Sequence, residues 1–392
     1  MLIPLLAMLA ACGQSPAAGR LAAGEPLGES RGRSIDSLIN KGISDGIMPG
    51  AVISVVQGDK IAFLRAYGNR QVVPDTLEMT EGTVFDLASL SKCVGTTLGV
   101  MQLVEQGRLS LDDKVAAYIP GFAPWTDGTE TEDICVRQLM THSSGLSPYV
   151  DVASLSARYG EPCPDSLMHY IAAEVRRNFR PGTDFMYSCL NFITLQNILQ
   201  KISGERLCDY VQREVFDRLG LEHTCYLPEG RLFSLPPVAP TTVQADGLPF
   251  HGFVHDPLAR RLNGGNSGNA GVFSDAADLS VIAAAIMNGG EIGGRRILKQ
   301  ETVDLMATVP DEDCYWVGRA LGWDVCSSHS SLKGNYTTAG RTLCHTGYTG
   351  TSMVIDLDKK LAIILLTNRV HPVDDGSLRD LRIQLADIVA AP

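Results

Sequence analysis

The 392-residue chain has strand-like runs near both ends, and the segment between them has mostly helical periodicity. Runs rich in β-branched and aromatic residues cover 51–56, 61–67, 351–356 and 361–367. A short turn separates the members of each pair, such as Gln57-Gly-Asp-Lys60 in the first, which predicts two β-hairpins. One antiparallel sheet built from both chain ends is the most economical way to bury both hairpins. We therefore expect an α/β (α+β) fold, with this sheet flanked by terminal helices and a mainly helical region inserted.

The predicted boundaries follow from where the pattern changes. Ser34 has the sequence context of a helix N-cap, so the folded body is expected at 34–392. Its sheet part is expected at about 34–86 and 270–392, and its helical part at about 87–269. A composition of 45% hydrophobic and 20% charged residues allows such a body to bury a core. The junction between the two parts is the expected place for a cleft and a functional site.

The first residues indicate export. Residues 1–11 form an apolar run that is too short to span a bilayer but typical of a signal peptide, and Leu9-Ala-Ala-Cys12 resembles a bacterial lipobox. No Lys or Arg precedes this run, so the alternative is a frayed apolar N-terminus. We expect lipidation of Cys12, a flexible linker at 13–33, and a periplasmic lipoprotein held at the cell envelope by its lipid anchor. Gly13, where an aspartate would retain the protein at the inner membrane, favours the outer membrane.

Charge and cysteine usage restrict the partners. The net charge of −11, without any basic cluster, argues against nucleic acid or anionic lipid surfaces as partners. Ten cysteines include Cys12; the other nine show no zinc-ligand spacing, and an odd number cannot pair completely. We therefore predict no metal and no cofactor, and we assign no disulfide.

Three further motifs were weighed as sites. Two are expected to have structural roles, and the third leaves two alternatives open. The glycine-rich segment 264–271 follows no strand and lacks a Lys-Ser/Thr pair, which predicts a wall of the cleft rather than a phosphate-binding loop. His142, in the turn 141–145, is expected to stabilise that turn rather than to act in catalysis. The pair His255-Asp256 either orients a loop or lines the cleft.

The segment Ser89-Leu-Ser-Lys92 is the first candidate for chemistry. It runs into the apolar periodic segment 94–104, and on a helix its serine and lysine would share one face one turn apart. A serine hydroxyl needs a neighbour that removes its proton, and burial lowers the pKa of a lysine enough for it to help. A second copy of the pattern, Ser330-Ser-Leu-Lys333, has no apolar helix behind it and is not expected to be a site.

Two later motifs supply complementary groups. Tyr187 lies at a loop-to-helix boundary about 95 residues beyond Lys92, and a nearby cation would favour its phenolate as a general base. His345-Thr-Gly347 lies at the entry to the late hairpin. A backbone N–H of an edge strand there could stabilise a developing oxyanion, and the small glycine lets a substrate approach.

Taken in order, Ser89-x-x-Lys92, Tyr187-x-Cys189 and His345-Thr-Gly347 resemble the motifs of the serine β-lactamase/penicillin-binding-protein family, on the side of class C enzymes and related esterases. The segments 139–146 and 268–274 resemble recurring connecting segments of that family. The resemblance covers essentially the whole predicted body. It implies a β-lactamase/transpeptidase-like fold and a serine hydrolase that works through an acyl-enzyme.

The resemblance also implies roles for single residues. Ser89 would be the acylated nucleophile, activated by Lys92 and Tyr187, and which of these two takes the first proton stays open. The backbone N–H groups of Ser89 and Tyr348 would form the oxyanion hole, and His345 would contact the polar or anionic end of the substrate. The residues implied to line the substrate site are Cys189, Thr346, Gly347 and Tyr348.

Two departures from the family pattern bear on the substrate. Cys189 stands where β-lactamases have an asparagine, and His345 stands where they have a lysine. The segments 254–257 and 367–372 resemble a subgroup associated with cell-wall recycling. A cell-wall-derived, muropeptide-like amide or a small ester is therefore the expected substrate. The alternatives are β-lactamase or D-alanyl-D-alanine carboxypeptidase activity, and a non-catalytic receptor for cell-wall fragments or penicillin on the same fold.

Overall fold

A computed structural model describes most of the chain, and its fold positions the candidate residues. Two expectations, lipidation of Cys12 and the inactive serine at Ser330, fall outside the described residues. Among the residues that are described, no helix is long and apolar enough to cross a membrane. The described ranges are 19–226, 237–309, 317–327 and 331–392.

The largest sheet is antiparallel and has strands from both ends of the chain, as predicted. Its strands are β1 (Gly50–Gln57), β2 (Lys60–Gln71), β3 (Leu77–Glu78), β11 (Thr342–Thr346), β12 (Ser352–Asp356) and β13 (Leu361–Leu366). Their order in the sheet is β11-β12-β13-β1-β2-β3, so the two predicted hairpins meet where β13 pairs with β1. In that pairing Ser54 lies opposite Ile364.

Helices cover both faces of this sheet. The terminal helices α1 (Glu29–Ser44) and α11 (Arg379–Ala390) pack against each other and on one face, in a shared apolar cluster. Helix α9 (Ala276–Met287) packs on the other face, where the Oγ atoms of Ser280 and Ser54 are 2.8 Å apart. Because both faces are covered, nearly every residue of β1 is buried, and the strand is a continuous rather than an alternating apolar run.

The inserted helical region is also present. A small sheet of β4 (Phe85–Asp86), β7 (Cys225–Tyr226) and β8 (Val272–Ser274) lies where this region joins the rest of the chain. The minor hairpins are β5 (Trp125–Thr126) with β6 (Thr131–Glu132), and β9 (Glu291–Ile292) with β10 (Arg295–Arg296). The remaining helices are α2 (Leu98–Glu105), α3 (Val136–Met140), α4 (Val152–Tyr159), α5 (Pro164–Ala173), α6 (Cys189–Ser203), α7 (Leu207–Val211), α8 (Asp217–Leu219) and α10 (Gln300–Ala307).

The first helix begins five residues before the predicted N-cap at Ser34, so the prediction of a linker through residue 33 was wrong at its end. Gly28 is the N-cap, and Glu29 places a carboxylate in the first turn, where the helix dipole favours negative charge. Upstream of the helix, Gly24 N and Leu27 N donate to the carbonyl oxygens of Ile61 and Ala62 in β2, at 2.8 and 2.9 Å. This part of the predicted linker therefore lies along the sheet.

Candidate active site

The turn between β4 and the following helix presents Ser89. Ala88, just before the serine, has a left-handed backbone with φ of +46°, which a non-glycine residue adopts only under strain. The buried Asp86 carboxylate holds this turn, because its Oδ1 accepts from Ala88 N at 2.8 Å. The chain then continues into a helix, as predicted, although its first part, Lys92–Thr97, is π-helical before α2 begins.

Lys92 is completely buried, and its ammonium nitrogen contacts three parts of the chain. Nζ donates to Ser89 Oγ at 2.9 Å and to the Asn269 carbonyl oxygen at 2.8 Å. Its third contact is Cys189 Sγ at 3.6 Å. Tyr187 is a further hydrogen-bond partner of Lys92, so the three N–H groups of the ammonium are shared among four neighbours. The predicted serine–lysine pair is therefore in hydrogen-bond contact, and Asn269 is a partner that sequence reasoning missed.

The protonation of this cluster follows from burial and mutual charge. Burial lowers the pKa of Lys92, but negative charge on Cys189 and Tyr187 outweighs it, so the lysine pKa is raised above its ordinary value. Burial raises the pKa of Tyr187 against the lowering effects of Lys92 and of a hydrogen bond with Ser89. The pKa of Cys189 is also raised, mainly by burial. The protonation of Lys92 is therefore coupled to that of Tyr187 and Cys189.

Tyr187 is positioned by the start of α6. Ser188 is the N-cap of that helix, and its hydroxyl accepts from Leu190 N at 3.2 Å and donates to the Ser147 carbonyl oxygen at 2.7 Å. His142 Nδ1 accepts from Ser188 N at 3.1 Å, and the imidazole lies 4.4 Å from the Tyr187 ring, centroid to centroid. His142 thus ties its turn to the tyrosine segment, in the stabilising role predicted for it.

The strand that carries His345 lies very close to the nucleophile turn. A Cβ atom at Gly347 would clash with the Leu87 carbonyl oxygen and with Thr351 Oγ1, so only glycine fits there. The hydroxyls of Thr349 and Thr351 donate to the carbonyl oxygens of Asp86 and Leu87 at 2.7 and 3.1 Å. These contacts fix Ser89 relative to the edge of the large sheet. Residue 347 is therefore a glycine because two backbone segments approach each other closely at this point.

His345 is buried and neutral. Burial, together with the charges of Arg319 and Lys92, lowers its pKa well below the ordinary value. Its Nδ1 lies 2.9 Å from the Thr346 carbonyl oxygen, which only accepts, so Nδ1 carries the proton and Nε2 is an acceptor. No described residue bonds to Nε2. In this state His345 suits a polar N–H or O–H group of a substrate rather than an anion.

Two pockets meet at Ser89, Tyr187 and Tyr348. The smaller has a volume of about 290 Å³ and is also lined by Phe185, Arg319, Asp324, Leu332, Cys344, His345 and Thr346. The larger has a volume of about 400 Å³ and is also lined by Ala88, Tyr149, Cys189, His255, Asp256, Pro257, Ala270 and Asp374. His255 and Asp256 therefore line the cleft, and Asp256 also orients its loop, since its Oδ1 accepts from Ala259 N at 2.7 Å. The wall expected from segment 264–271 is present at Ala270.

The structure thus brings the predicted residues together from four segments of the chain. Sequence reasoning missed Asp86, whose Oδ2 also accepts from His255 N at 2.7 Å and whose pKa burial raises to about 6. It also missed Asn269 and Arg319. The signals for these residues were weak, because a single polar residue after a strand or in a glycine-containing turn does not reveal its burial.

Comparisons with known proteins identify the family of the chain. A family model described as Beta-lactamase matches residues 35–388. An N-acetylmuramyl-L-alanine amidase of Bacillus subtilis (strain 168) is 32% identical over 368 residues, which are 88% of this chain and 82% of that protein. A protein of Escherichia coli (strain K12) with the provisional name D-alanyl-D-alanine carboxypeptidase is 29% identical over 353 residues, 83% of this chain and 80% of its own length.

Solved structures share the fold. EstCE1, a hydrolase with promiscuous acyltransferase activity, superimposes with a TM-score of 0.73 at 23% identity and covers 93% of this chain and 99% of its own. The octameric penicillin-binding protein homologue from Pyrococcus abyssi has a TM-score of 0.70 at 21% identity, covering 90% of this chain and 76% of its own. At these identities the likeness establishes the architecture.

The strained turn before Ser89 generates a testable prediction. Ala88→Gly should keep the free energy of unfolding within about 1 kcal/mol of the wild type, because glycine adopts a positive φ without a steric penalty. Ala88→Val should lower it by about 1–3 kcal/mol, since a β-branched residue is strained at this φ. Denaturant unfolding of both variants measures the difference, and equal stability of the two would contradict the left-handed turn.

Proposed function

The chain belongs to the Beta-lactamase family of serine hydrolases, and we propose on that premise that it cleaves an amide or ester through an acyl-enzyme on Ser89. The observation that carries the proposal is the contact of the buried Lys92 ammonium with Ser89 Oγ at 2.9 Å. A serine at the meeting point of two pockets, bonded to a buried cation and to a tyrosine, has the surroundings of an activated nucleophile.

Tyr187 is the proposed proton acceptor. Lys92 has all three N–H groups directed at acceptors, and one of these, the Asn269 carbonyl oxygen, can only accept. The lysine therefore acts as a charged donor that stabilises a phenolate on Tyr187 once the cluster has lost one proton. We therefore propose Tyr187, rather than Lys92, as the first proton acceptor.

The reaction then has two steps, acylation of Ser89 and hydrolysis of the acyl-enzyme. Ser89 Oγ attacks the substrate carbonyl carbon, its proton passes to the Tyr187 oxygen, and the carbonyl electron pair moves to the oxyanion. When the oxyanion collapses, the C–N or C–O bond breaks, and Tyr187 returns the proton to the leaving nitrogen or oxygen. Water repeats the same steps on the acyl-enzyme and restores the serine.

The backbone N–H groups of Ser89 and Tyr348 are the proposed oxyanion hole. Neither donates a hydrogen bond to another described residue, so both are available to a substrate oxygen. Their relative position depends on the contacts of Thr349 and Thr351 with the nucleophile turn. Thr346 and Gly347 line the approach along the strand, and His345 offers its Nε2 as an acceptor to a polar group of the substrate.

A cell-wall-derived amide, or a small ester, is the proposed substrate. The amidase relative from Bacillus subtilis and the relative named as a carboxypeptidase support the first of these. Cys189 reaches the larger pocket where a β-lactamase would have an asparagine, and a thiol is a weak substitute for an amide as a hydrogen-bond donor. β-Lactamase and D-alanyl-D-alanine carboxypeptidase activities are the alternatives, and a receptor without turnover is the alternative of another class.

Replacing Ser89 tests whether it is the nucleophile, and the lifetime of its adduct distinguishes an enzyme from a receptor. Ser89→Ala should abolish both hydrolysis and the adduct with a fluorophosphonate, because the acylated oxygen is removed. Ser330→Ala, in the second copy of the same motif, is the matched control and should retain both. Intact-mass analysis reads out the adduct: an enzyme forms and clears a penicillin or ester adduct, whereas a receptor forms none or keeps it. An adduct that persists in Ser89→Ala would refute the assignment.

The base is tested by Tyr187→Phe, which keeps the ring and removes the ionisable oxygen. We expect acylation to slow by about 10²–10⁴-fold, with the larger loss for an amide, whose leaving group needs protonation. In the wild type the acylation rate should rise with pH to a plateau. The form of the Lys92–Tyr187 cluster that reacts has lost one proton, and its fraction grows as the pH rises. Acylation by one ester and one amide should be followed across pH.

Tyr226→Phe is the control for this experiment, since Tyr226 is a buried tyrosine that lines neither of the two pockets at Ser89. It should show the wild-type profile. If Tyr187→Phe also shows that profile, the base is Lys92 alone.

Export as a lipoprotein is proposed from the sequence of the N-terminus. Cys12 in its lipobox-like context would be lipidated and would hold the hydrolase at the cell envelope, on the side of the membrane where cell-wall fragments occur. Cys12→Ala should move the protein from the membrane fraction to the soluble fraction, with activity per molecule unchanged. Wild-type protein in the soluble cytoplasmic fraction would contradict this proposal.

A further inference from the structure

Cys189 is a nucleophilic group of the active site whose thiol takes no part in the proposed proton transfers. It is the first residue of α6, and its Sγ lies 3.6 Å from the ammonium nitrogen of Lys92. The residue is partly exposed and lines the pocket of about 400 Å³ that opens at Ser89. A helix N-terminus and a cation both favour the thiolate over the thiol. A small reagent that enters this pocket therefore meets a sulfur beside two stabilisers of its negative charge.

Asn269 supplies a donor that has no acceptor while the sulfur is a thiol. The residue is completely buried, and its Oδ1 accepts from Ser267 Oγ at 2.6 Å. Its amide nitrogen, Nδ2, has no hydrogen-bond partner among the described residues. This nitrogen faces Cys189, because a hydrogen bond from the Asn269 side chain lowers the pKa of that cysteine by stabilising its thiolate. A neutral thiol is only a weak acceptor, so an oxygen atom bonded to the sulfur would give the buried amide the partner it lacks.

The charges that face the sulfur act in both directions. Burial has the largest effect and raises the pKa of Cys189, and the carboxylate of Asp256 raises it further. The ammonium of Lys92 and the amide of Asn269 lower it. The phenolate of Tyr187 would draw on the same ammonium. Because the thiolate is the form that reacts with oxidants, the reactivity of Cys189 follows the protonation of the catalytic cluster.

The other described cysteines lack this environment. Cys135 and Cys326 are also partly exposed, but neither sulfur is hydrogen-bonded to a lysine in the part of the chain that the structure describes. Reactive cysteines lie in partly exposed, electropositive surroundings, whereas buried ones are inert. The buried ones are Cys93, Cys163, Cys208, Cys225 and Cys344.

We propose that Cys189 is a reversible oxidation site, at which hydrogen peroxide converts the thiol to a sulfenic acid and thereby stops the acylation of Ser89. The effect on activity rests on the proposed hydrolase function, whereas the modification itself does not.

The oxidation consumes one molecule of peroxide. The Cys189 thiolate attacks one oxygen of hydrogen peroxide, and the O–O bond breaks. The departing hydroxide takes up the proton that the thiol had lost, so that one thiol and one peroxide give one sulfenic acid and one water. Two thiols of dithiothreitol reverse the change: the oxygen leaves as water and the two thiols become a disulfide.

The added oxygen interferes with the nucleophile in two ways. It gives Lys92 Nζ and Asn269 Nδ2 a stronger acceptor than sulfur, in competition with the Ser89 Oγ that the lysine contacts at 2.9 Å. It also occupies part of the larger pocket, which Cys189 and Ser89 both line. Proton transfer from the serine is worth about 10²–10⁴-fold in rate, so we expect the oxidised protein to acylate about 10²-fold more slowly or less.

The first test locates the modification. Protein treated with hydrogen peroxide is trapped with dimedone, a carbon nucleophile that couples to sulfenic acids, and the labelled peptides are mapped by mass spectrometry. We expect the label on Cys189, with Cys135 and Cys326 unlabelled. Absence of the label from Cys189 would overturn the proposal.

The second test measures activity on a p-nitrophenyl ester. The rate of hydrolysis should fall in proportion to the fraction of Cys189 that is oxidised, by about 10²-fold when oxidation is complete. Dithiothreitol should restore the rate, since it reduces a sulfenic acid but neither a sulfinic acid nor methionine sulfoxide. Label on Cys189 with an unchanged rate, or a loss that dithiothreitol does not reverse, would contradict control of acylation by this oxidation.

Substitutions assign the effect to one sulfur. Each variant is compared with itself before and after peroxide, because Cys189 lies in the site and its replacement changes the starting rate. Cys189→Ser should keep its own starting rate after treatment, and Cys135→Ser, the matched control, should lose activity as the wild type does. Inactivation of Cys189→Ser to the same extent as the wild type would overturn the proposal. The dimedone map of the wild type decides the matter if Cys189→Ser hydrolyses nothing.

The same map separates this inference from the function beneath it. Ser89→Ala should still be labelled on Cys189, because the oxidation needs no acyl transfer. An active wild-type enzyme without label on Cys189 overturns the oxidation site and leaves the hydrolase intact. Wild-type protein that is labelled on Cys189 but inactive before treatment overturns the hydrolase and, with it, the effect on activity.

Discussion

The buried ammonium of Lys92 is the interaction on which the site depends. A charge without access to water is costly unless it is fully hydrogen-bonded. Here its three acceptors come from three separate segments: the nucleophile turn at Ser89, the start of α6 at Cys189, and the glycine-rich wall at Asn269. The need to satisfy one cation therefore holds together the parts of the helical region that surround the catalytic serine. Burial raises the pKa values of Tyr187 and Cys189, and the charge of the lysine opposes that rise.

A second constraint joins this cluster to the sheet. The edge strand β11 approaches the nucleophile turn so closely that residue 347 has to be glycine, and the hydroxyls of Thr349 and Thr351 secure the approach. Two backbone N–H groups at this contact, those of Ser89 and Tyr348, donate to no residue in the part of the chain that the structure describes. The site is thus an interface between a rigid sheet, which supplies the oxyanion donors, and a helical region, which supplies the proton chemistry.

Much of this arrangement could be predicted from the sequence. Runs of β-branched and aromatic residues at both chain ends indicated the antiparallel sheet, and the order Ser89, Lys92, Tyr187, His345 was enough to identify the cluster. What could not be predicted depends on burial. The neutral state of His345 follows from its desolvation and from the charge of Arg319, neither of which appears in the motif. Asp86 and Arg319 are single polar residues whose importance depends on which other segments cover them, and the start of α1 at Glu29 depends on pairing with β2.

The central claim is that Ser89 is acylated with the substrate oxygen held by the sheet edge. A crystal structure of the acyl-enzyme, trapped with a slowly hydrolysed ester or penicillin, tests it most directly. We expect continuous density from Ser89 Oγ to the acyl carbon, with the carbonyl oxygen about 2.7–3.1 Å from the backbone nitrogens of both Ser89 and Tyr348. An adduct on Cys189, or an acyl oxygen that points away from Tyr348, would contradict it.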